Sequence, residues 1–150
     1  MDDFMAEALL EARKAYSEGE VPVGAVVVKG GKIIGRGHNR REAKLDISSH
    51  AEIEALKQAS AFLGTWRMDG CSLYVTLEPC LMCAGAIKQS RLSSLHIGAL
   101  DPLYGAESRY GLFSSIDAYG GILAYVREHE EEAKAILGDF FASKREGKNE

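Results

Sequence analysis

One histidine and two cysteines in this chain stand at spacings that fit a metal site. His50 lies in the segment SHAEIEAL, and Cys80 and Cys83 follow in LEPCLMCAGA. Neutral imidazole and thiolate are ligands that zinc prefers, and three protein ligands leave the fourth tetrahedral position open for water, as in catalytic sites. The sequence therefore predicts one Zn²⁺ per subunit, bound by His50, Cys80 and Cys83.

Glu52 gains a chemical role from its place two residues after His50. Zinc lowers the pKa of its bound water to about 7. A carboxylate beside that water can accept its proton and deliver it to a leaving group. Because two thiolates cancel the charge of the ion, the site suits a neutral substrate. We therefore predict that Glu52 is the catalytic proton shuttle.

A simpler interpretation gives these residues no chemistry. The histidine and the glutamate could lie on the solvent face of a helix, and the two cysteines of C-x-x-C could be small core side chains. C-x-x-C alone is moderate evidence and H-x-E alone is weak. Their combination, with Pro79 directly before Cys80, favours the metal site. Cys71 has no ligand spacing and is interpreted as a core thiol.

The hydrophobic pattern predicts the elements that must position this site. They are a helix over 3–18, strands over 23–28 and 32–37 with a Gly-Gly turn between them, a helix over about 50–61 capped by Ser48 or Ser49, a strand over 71–77, a helix over 80–90, a strand over 92–100, a fifth strand within 120–126 and a helix over 127–145. Trp66 is expected in the core.

The order of these elements predicts the fold class. Strands that alternate with helices form a sheet with helices on its faces. One connection is a hairpin, so the sheet is mixed rather than wholly parallel. We predict an α/β fold with three α-β-α layers and a mixed, roughly five-stranded central sheet. The single domain spans 1–150, with a frayed tail at about 146–150.

Composition limits the possible functions less than the motifs do. The 150 residues are 46% hydrophobic and 27% charged, as in one soluble domain. A net charge of −4 excludes only a strongly basic nucleic-acid binder. No apolar run is long enough for a membrane helix, and the N-terminus lacks a signal-peptide pattern, which favours the cytoplasm. Arg36, Arg40, Arg41 and Lys44 form a local basic patch that could meet phosphate or lie in a solvated loop.

The motif H-x-E followed by P-C-x-x-C resembles the signature of the zinc-dependent nucleobase deaminases. The segments EVPVGAVVV, IIGRGHN, HAEIEAL, LYVTLEPCLMCAGAI, IGALD and GDFF are similar, in this order and over nearly the whole chain, to the bacterial tRNA adenosine deaminases of the TadA type. This resemblance implies a cytidine deaminase-like fold and hydrolytic conversion of adenosine to inosine at the wobble position of a tRNA anticodon. It also implies a homodimer whose two subunits both contact the RNA.

The resemblance implies substrate contacts as well. Asn39 is similar to the family's base-contacting asparagine, the backbone of Ala51 would lie against the exocyclic amine, and Phe141 is similar to an aromatic residue near the RNA loop. Asp101 would also line the substrate site. The residues alone leave other roles open: a turn residue for Asn39, a cap of the turn before Pro102 for Asp101, and core or dimer packing for Phe141.

Three segments depart from the family pattern. The family commonly has Asp-Pro-Thr-Ala where this chain has DISS at 46–49, and Asn-His-Arg-Val where this chain has GGIL at 120–123. The loop that begins at 102 also differs. Loops that flank a shared site set specificity. Deamination of a free nucleobase or nucleoside, such as guanine or cytosine, is therefore the alternative function, and a non-catalytic zinc-stabilised module that binds RNA or a partner is a third.

Overall fold

The computed structural model describes residues 2–114 and 124–148, without the side chains of 147 and 148. The elements of this part of the chain are, in order, α1 (Phe4–Ser17), β1 (Gly24–Lys29), β2 (Lys32–His38), α2 (Arg41–Lys44), α3 (Ala51–Leu63), β3 (Cys71–Leu77), α4 (Leu81–Ser90), β4 (Ser94–Ala99), α5 (Ala106–Tyr110), β5 (Ala124–Arg127) and α6 (Glu130–Lys148). Within these residues, no helix has both the length and the apolar character that crossing a membrane demands.

The sheet has the strand order β2-β1-β3-β4-β5. β1 is antiparallel to both β2 and β3, whereas β4 is parallel to β3 and β5. Gly30 and Gly31 join β1 to β2 with positive φ angles of 58° and 74°, the conformation that favours glycine in tight hairpins. The predicted mixed five-stranded sheet is confirmed. The predicted strand residues 120–123 lie outside the described part of the chain.

Helices cover both faces of the sheet. On one face, Val27 of β1 belongs to the main core cluster with Ala55 of α3 and Ile87 of α4. On the other face, Val26 packs against α1, and Ala133 of α6 clusters with residues of α1 and β4. Because successive side chains of a strand point to opposite faces, β1 is buried on both sides. The predicted three α-β-α layers are confirmed.

Two glycines of β2 let α3 lie directly on the sheet. A Cβ placed on Gly37 would lie 2.6 Å from the carbonyl oxygen of Ala51, and one on Gly35 would overlap the carbonyl of Ala55. Side chains at these positions would push the helix away from the strand. The close approach fixes the N-terminus of α3, which follows His50, against β2 at the edge of the sheet.

The predicted cap of α3 is wrong by one or two residues. His50 is the N-cap, with an extended backbone (φ −80°, ψ 156°) and no side-chain cap hydrogen bond. The Ser49 hydroxyl instead donates to Oε1 of Glu54 at 2.8 Å. The helix begins after both serines because the backbone of His50 is still extended. This conformation leaves the imidazole at the N-terminus of the helix.

Trp66 is not in the core, contrary to the prediction. It follows the end of α3 at Gly64, and 59% of it is exposed. The guanidinium carbons of Arg67 and Arg91 lie 5.6 and 5.9 Å from the centre of its ring. Cation–π contacts of this kind stabilise an aromatic ring at the surface, which a hydropathy pattern does not reveal.

Candidate active site

The three predicted metal ligands meet between the N-termini of α3 and α4. His50 is the N-cap of α3, Cys80 is the N-cap of α4, and Cys83 lies in the first turn of α4. Nδ1 of His50 lies 3.7 Å from Sγ of Cys80 and 3.4 Å from Sγ of Cys83. All three donor atoms lie within 4.8 Å of one another. Two helix N-termini thus bring the ligands together from distant parts of the sequence.

These separations fit a tetrahedral zinc ion. With the usual Zn–N and Zn–S bond lengths, a tetrahedral angle separates a nitrogen from a sulfur ligand by about 3.6 Å, which lies between the two observed distances. The helix N-termini carry partial positive charge, which favours thiolates. The donor types, their separations and their electrostatic surroundings therefore all suit zinc, with Nδ1 of His50 as the nitrogen ligand.

The protonation of the two cysteines also suits a metal. The hydrogen bond from Cys83 lowers the pKa of Cys80 to about 3, with His50 contributing in the same direction. The same contact, together with burial, raises the pKa of Cys83. The hydrogen bond with Cys80 raises the pKa of His50. The contact between the two sulfurs thus favours a thiolate at Cys80, and the thiolate is the form of cysteine that binds metal.

Glu52 lies in the first turn of α3, beside the triad. Glu52 is only 4% exposed, and its side chain forms a hydrogen bond with the side chain of Cys83. Burial raises the pKa of Glu52 to about 7. A carboxyl group with a pKa near 7 can both accept and donate a proton at neutral pH. The position and the pKa of Glu52 therefore suit a proton shuttle.

A cavity of about 690 Å³ opens beside the triad, within the usual size range of small-molecule sites. Its lining includes most of the residues predicted from the sequence: Asn39, His50, Ala51, Glu52, Cys80, Asp101 and Phe141. Cys83 is fully buried and is not part of this lining. A second cavity, of about 560 Å³, is lined by residues around Trp66 and contains none of the predicted site residues.

One wall of the cavity is built from Asn39 and Arg41. Nδ2 of Asn39 donates to the carbonyl of Val21 at 3.3 Å, and its Oδ1 accepts from the Arg41 amide at 3.2 Å. Asn39 therefore stabilises a turn, as the alternative role proposed. A carboxamide has two hydrogens and two lone pairs, so one further donor and one further acceptor remain available for a substrate.

The opposite wall is formed by residues 100–104. Oδ1 of Asp101 accepts from the amides of Leu103 and Tyr104 at 3.1 and 3.0 Å. Asp101 thus caps the turn after β4, as the alternative role proposed, while it also lines the cavity. A direct contact between Asp101 and a substrate stays a prediction.

Exposed aromatic side chains stand in the cavity lining. Phe141 of α6 is 46% exposed and Tyr104 is 72% exposed. The ring of Phe141 packs edge-to-face on the buried Phe140, with centroids 5.4 Å apart. Phe141 is therefore anchored from behind, whereas its face toward the cavity is accessible.

The basic patch divides into two parts. Arg36 forms ion pairs with Glu7 at 3.0 Å and Glu11 at 3.1 Å, and Lys44 pairs with Glu54 at 2.7 Å. Of the four basic residues, only Arg41 belongs to the cavity lining. The sequence pattern alone could not show that acidic partners from α1 and α3 pair with Arg36 and Lys44.

Two buried carboxylates that sequence reasoning missed hold the cavity walls. Glu20, which is 2% exposed, accepts from the amides of Glu42 and Ala43 at 3.1 and 2.8 Å. Glu78, also 2% exposed, accepts from the amides of Asp101 and Ser108 at 3.0 and 2.7 Å. In both EVPV and LEPC an acidic residue stands one or two positions before a proline. This pattern is the sequence signal that could have indicated the two carboxylates.

The fold and the site together define the class of nucleobase deaminases, which carry H-x-E and P-C-x-x-C in this arrangement. Residues 1–145 match the model of the MafB19-like deaminase family. The tRNA-specific adenosine deaminase of Bacillus subtilis (strain 168) is 42% identical in an alignment of 154 positions, gaps included. The alignment covers 97% of this chain and 91% of that protein. The chain belongs to the MafB19-like deaminases and to the family of tRNA-specific adenosine deaminases, which confirms the resemblance.

Solved structures agree with this assignment. A structure from a study of A-to-I editing by tRNA deaminases at the wobble position of transfer RNA has a TM-score of 0.84 and 42% identity, and the match covers 89% of this chain and 98% of that one. A guanine deaminase from Nitrosomonas europaea has a TM-score of 0.76 and 27% identity, covering 93% and 83% of the two chains. The same fold thus occurs in proteins named for RNA and for a free base.

Proposed function

We propose that this chain is a zinc-dependent hydrolase that converts adenosine to inosine at the wobble position of a tRNA anticodon. The observation that carries the proposal is the His50, Cys80 and Cys83 triad, with the buried Glu52 beside it in one cavity. The similarity of the chain to tRNA-specific adenosine deaminases, over almost its whole length, supports tRNA as the substrate.

The reaction replaces the C6 amino group of adenine with an oxygen atom from water and releases ammonia. A zinc ion held by the three ligands would supply a hydrolytic nucleophile near neutral pH. The Glu52 carboxylate accepts a proton from the attacking water. It then donates that proton to the leaving nitrogen, which departs as ammonia. Burial of Glu52 raises its pKa and so favours both transfers, because each requires a different protonation state.

The cavity offers contacts to the base that need no charged partner. Asn39 presents its remaining carboxamide hydrogen and lone pair to the edge of adenine. The backbone at Ala51, the first residue of α3, lies against the exocyclic amine. Asp101 keeps the opposite wall in place through its turn. These contacts suit a neutral base held between two fixed walls.

The anticodon loop explains why the mouth of the cavity is aromatic. Bases that leave the stack in single-stranded RNA loops often stack on aromatic side chains. Phe141 and Tyr104 offer such surfaces, and Arg41 offers a positive charge for phosphate. We also propose that the enzyme acts as a homodimer whose two subunits both contact the RNA. A cytoplasmic location is part of the same proposal.

The deciding experiment compares an RNA with free bases. Zinc-loaded protein is incubated with an anticodon stem-loop that carries adenosine at the wobble position, and in parallel with free adenosine, guanine and cytosine. We expect inosine in the stem-loop alone. Product from a free base with an unchanged stem-loop would support the alternative deaminase and reject the RNA substrate. No product from any substrate, with zinc bound, would favour a non-catalytic module.

A further inference from the structure

Glu78 lies at the junction between the metal site and one wall of the cavity. It is two residues before the ligand Cys80, with the rigid Pro79 between them. Its own amide donates to the carbonyl of Ala99 at 2.8 Å, which joins it to the end of β4. Its side chain points toward residues 101–108, so this one residue connects the metal ligand to the loop that lines the cavity.

The carboxylate of Glu78 accepts three hydrogen bonds from that loop. Oε1 accepts from the amide of Asp101, and Oε2 accepts from the amide of Ser108. The Ser108 hydroxyl donates to Oε1 as well. Next to it, the amide of Ala106 donates to the carbonyl of Pro79 at 2.9 Å. Buried hydrogen bonds to a charged group are among the stronger ones in proteins.

The loop fits around the carboxylate so tightly that only glycine is allowed at position 105. A Cβ on Gly105 would overlap the Glu78 carboxylate and the carbonyl oxygen of Asp101. The amide of Gly105 also donates to that same carbonyl at 2.8 Å. The loop therefore has one packed arrangement on Glu78, and that arrangement sets where Asp101, Leu103 and Tyr104 stand in the cavity lining.

We propose that Glu78 is a positioning residue that fixes the 101–108 wall of the cavity relative to Cys80, and thereby sets how the RNA flanking the target base is held. Glu78 shares the cavity lining with Glu52, but its carboxylate is bonded to the 101–108 loop, so we expect it to affect the reaction only through the position of that wall. The consequence for RNA rests on the proposed function, whereas the fixing of the wall does not.

The proposal predicts a failure of the closest substitute. Glu78→Gln keeps the size of the side chain but replaces one acceptor oxygen with an amide donor. Because the site supplies only donors, the new NH₂ group faces another N–H or O–H. We expect Glu78→Gln to behave much like Glu78→Ala. Ser108→Ala removes only the hydroxyl bond and should have a smaller effect.

Three measurements test the wall and its role in zinc-loaded protein. For Glu78→Gln we expect hydrogen exchange in residues 101–108 to accelerate by about tenfold or more, and KM for the stem-loop to rise by about tenfold, while kcat falls less than about threefold. Zinc content should stay at one ion per chain. Gly105→Ala disturbs the same contact from the loop side, and we expect the same pattern.

Glu107→Gln is the matched control. Glu107 is in the same segment and accepts from the amides of Phe113 and Ser114 at 2.7 and 3.0 Å, but it does not line the cavity. Its exchange should change only around 113–114, and its KM should match the wild type. If both Glu78→Gln and Gly105→Ala leave KM unchanged, or leave exchange in 101–108 unchanged, the positioning role is rejected. A wild-type protein that does not convert the stem-loop would reject the proposed function, and hydrogen exchange would still judge whether Glu78 fixes the wall.

Discussion

The metal triad and the cavity walls are held by two different kinds of structure. His50, Cys80 and Cys83 stand at the N-termini of α3 and α4, which are packed on the sheet through the main core cluster. The walls are short segments held by single buried carboxylates, Glu20 on one side and Glu78 on the other. The proposed reactive groups are thus positioned by long elements, and the proposed substrate contacts by local hydrogen bonds. Loss of a reactive group should abolish chemistry, whereas loss of a wall contact should weaken substrate binding.

The largest effect should come from Glu52→Gln, which keeps the shape of the side chain but cannot transfer the proton. We expect kcat on the stem-loop to fall by at least about 10²-fold, the usual scale of general acid–base catalysis. Zinc content and melting temperature should stay close to those of the wild type.

Glu54→Gln, on the same helix, is the control for Glu52→Gln. Glu54 bonds Ser49 and Lys44 rather than the triad, so its kcat should change by less than about threefold. An active Glu52→Gln enzyme would contradict the division between reactive groups and walls, because Glu52 would then be only a helix-start carboxylate.

Removal of the metal should destabilise the part of the protein that holds the triad. A ligand at one hundred times its Kd stabilises the folded state by about 2.7 kcal/mol, and a chain of this size gains about 2–4 °C per kcal/mol. Chelation of the zinc-loaded protein should therefore lower the melting temperature by about 5–10 °C. Cys83→Ser should bind less metal and show little further change on chelation.

Cys71→Ala separates loss of a ligand from loss of any buried thiol. Cys71 is also fully buried, but it starts β3 and belongs to the main core cluster. We expect it to bind one zinc per chain by elemental analysis, although its melting temperature falls. Equal metal loss in Cys71→Ala and Cys83→Ser would contradict the assignment of the ligands.

The wall side of the comparison is tested at Phe141. Stacking of a base on an aromatic side chain contributes about 1–3 kcal/mol, so Phe141→Ala should raise KM for the stem-loop by about 5- to 150-fold with kcat nearly unchanged. Tyr110→Ala removes an aromatic ring that is 61% exposed on α5 but outside the cavity lining. Equal changes in KM for the two variants would mean that exposure, rather than place in the cavity, determines the effect.

The same division explains which features the sequence could predict. Apart from α2, the helices and strands of the first hundred residues lie within two residues of their predicted bounds, because hydrophobic periodicity records burial against the sheet. The triad could be predicted because its residue types occur at helix starts in a recognisable spacing. The helices α2 and α5 were predicted as loops, since they span only four and five residues. They depend on carboxylates 22 to 30 positions away, and no local pattern contains that information.

The smallest effect should come from His129, which joins the two helices on the α1 face. Nε2 of His129 contacts Oδ2 of Asp3 at 2.7 Å, and Nδ1 contacts Oε1 of Glu132 at 3.0 Å. The hydrogen bond to Glu132, with that to Asp3, raises the pKa of His129. The hydrogen bond from the Ala6 amide, with smaller contributions from His129, lowers the pKa of Asp3. This contact ties the start of α6, the helix that carries Phe141, to the N-cap of α1.

The two pKa shifts define the pH range of this contact. A histidine whose pKa is raised on folding stabilises the protein fully below about pH 6.5, and this contribution is lost as pH rises through the raised pKa. The lowered pKa of Asp3 keeps its charge down to below about pH 3.8. His129→Gln should therefore lower the melting temperature by about 1–2 °C at pH 6, the scale of a partly exposed ion pair in a chain of this size, and by less at pH 9. Neither His129 nor its two partners belongs to the triad or to the cavity lining, so zinc content and kcat should not change. An equal loss of stability at both pH values would show that His129 acts through packing alone. A fall in kcat would mean that the contact between His129 and α1 supports the reactive groups rather than the cavity walls.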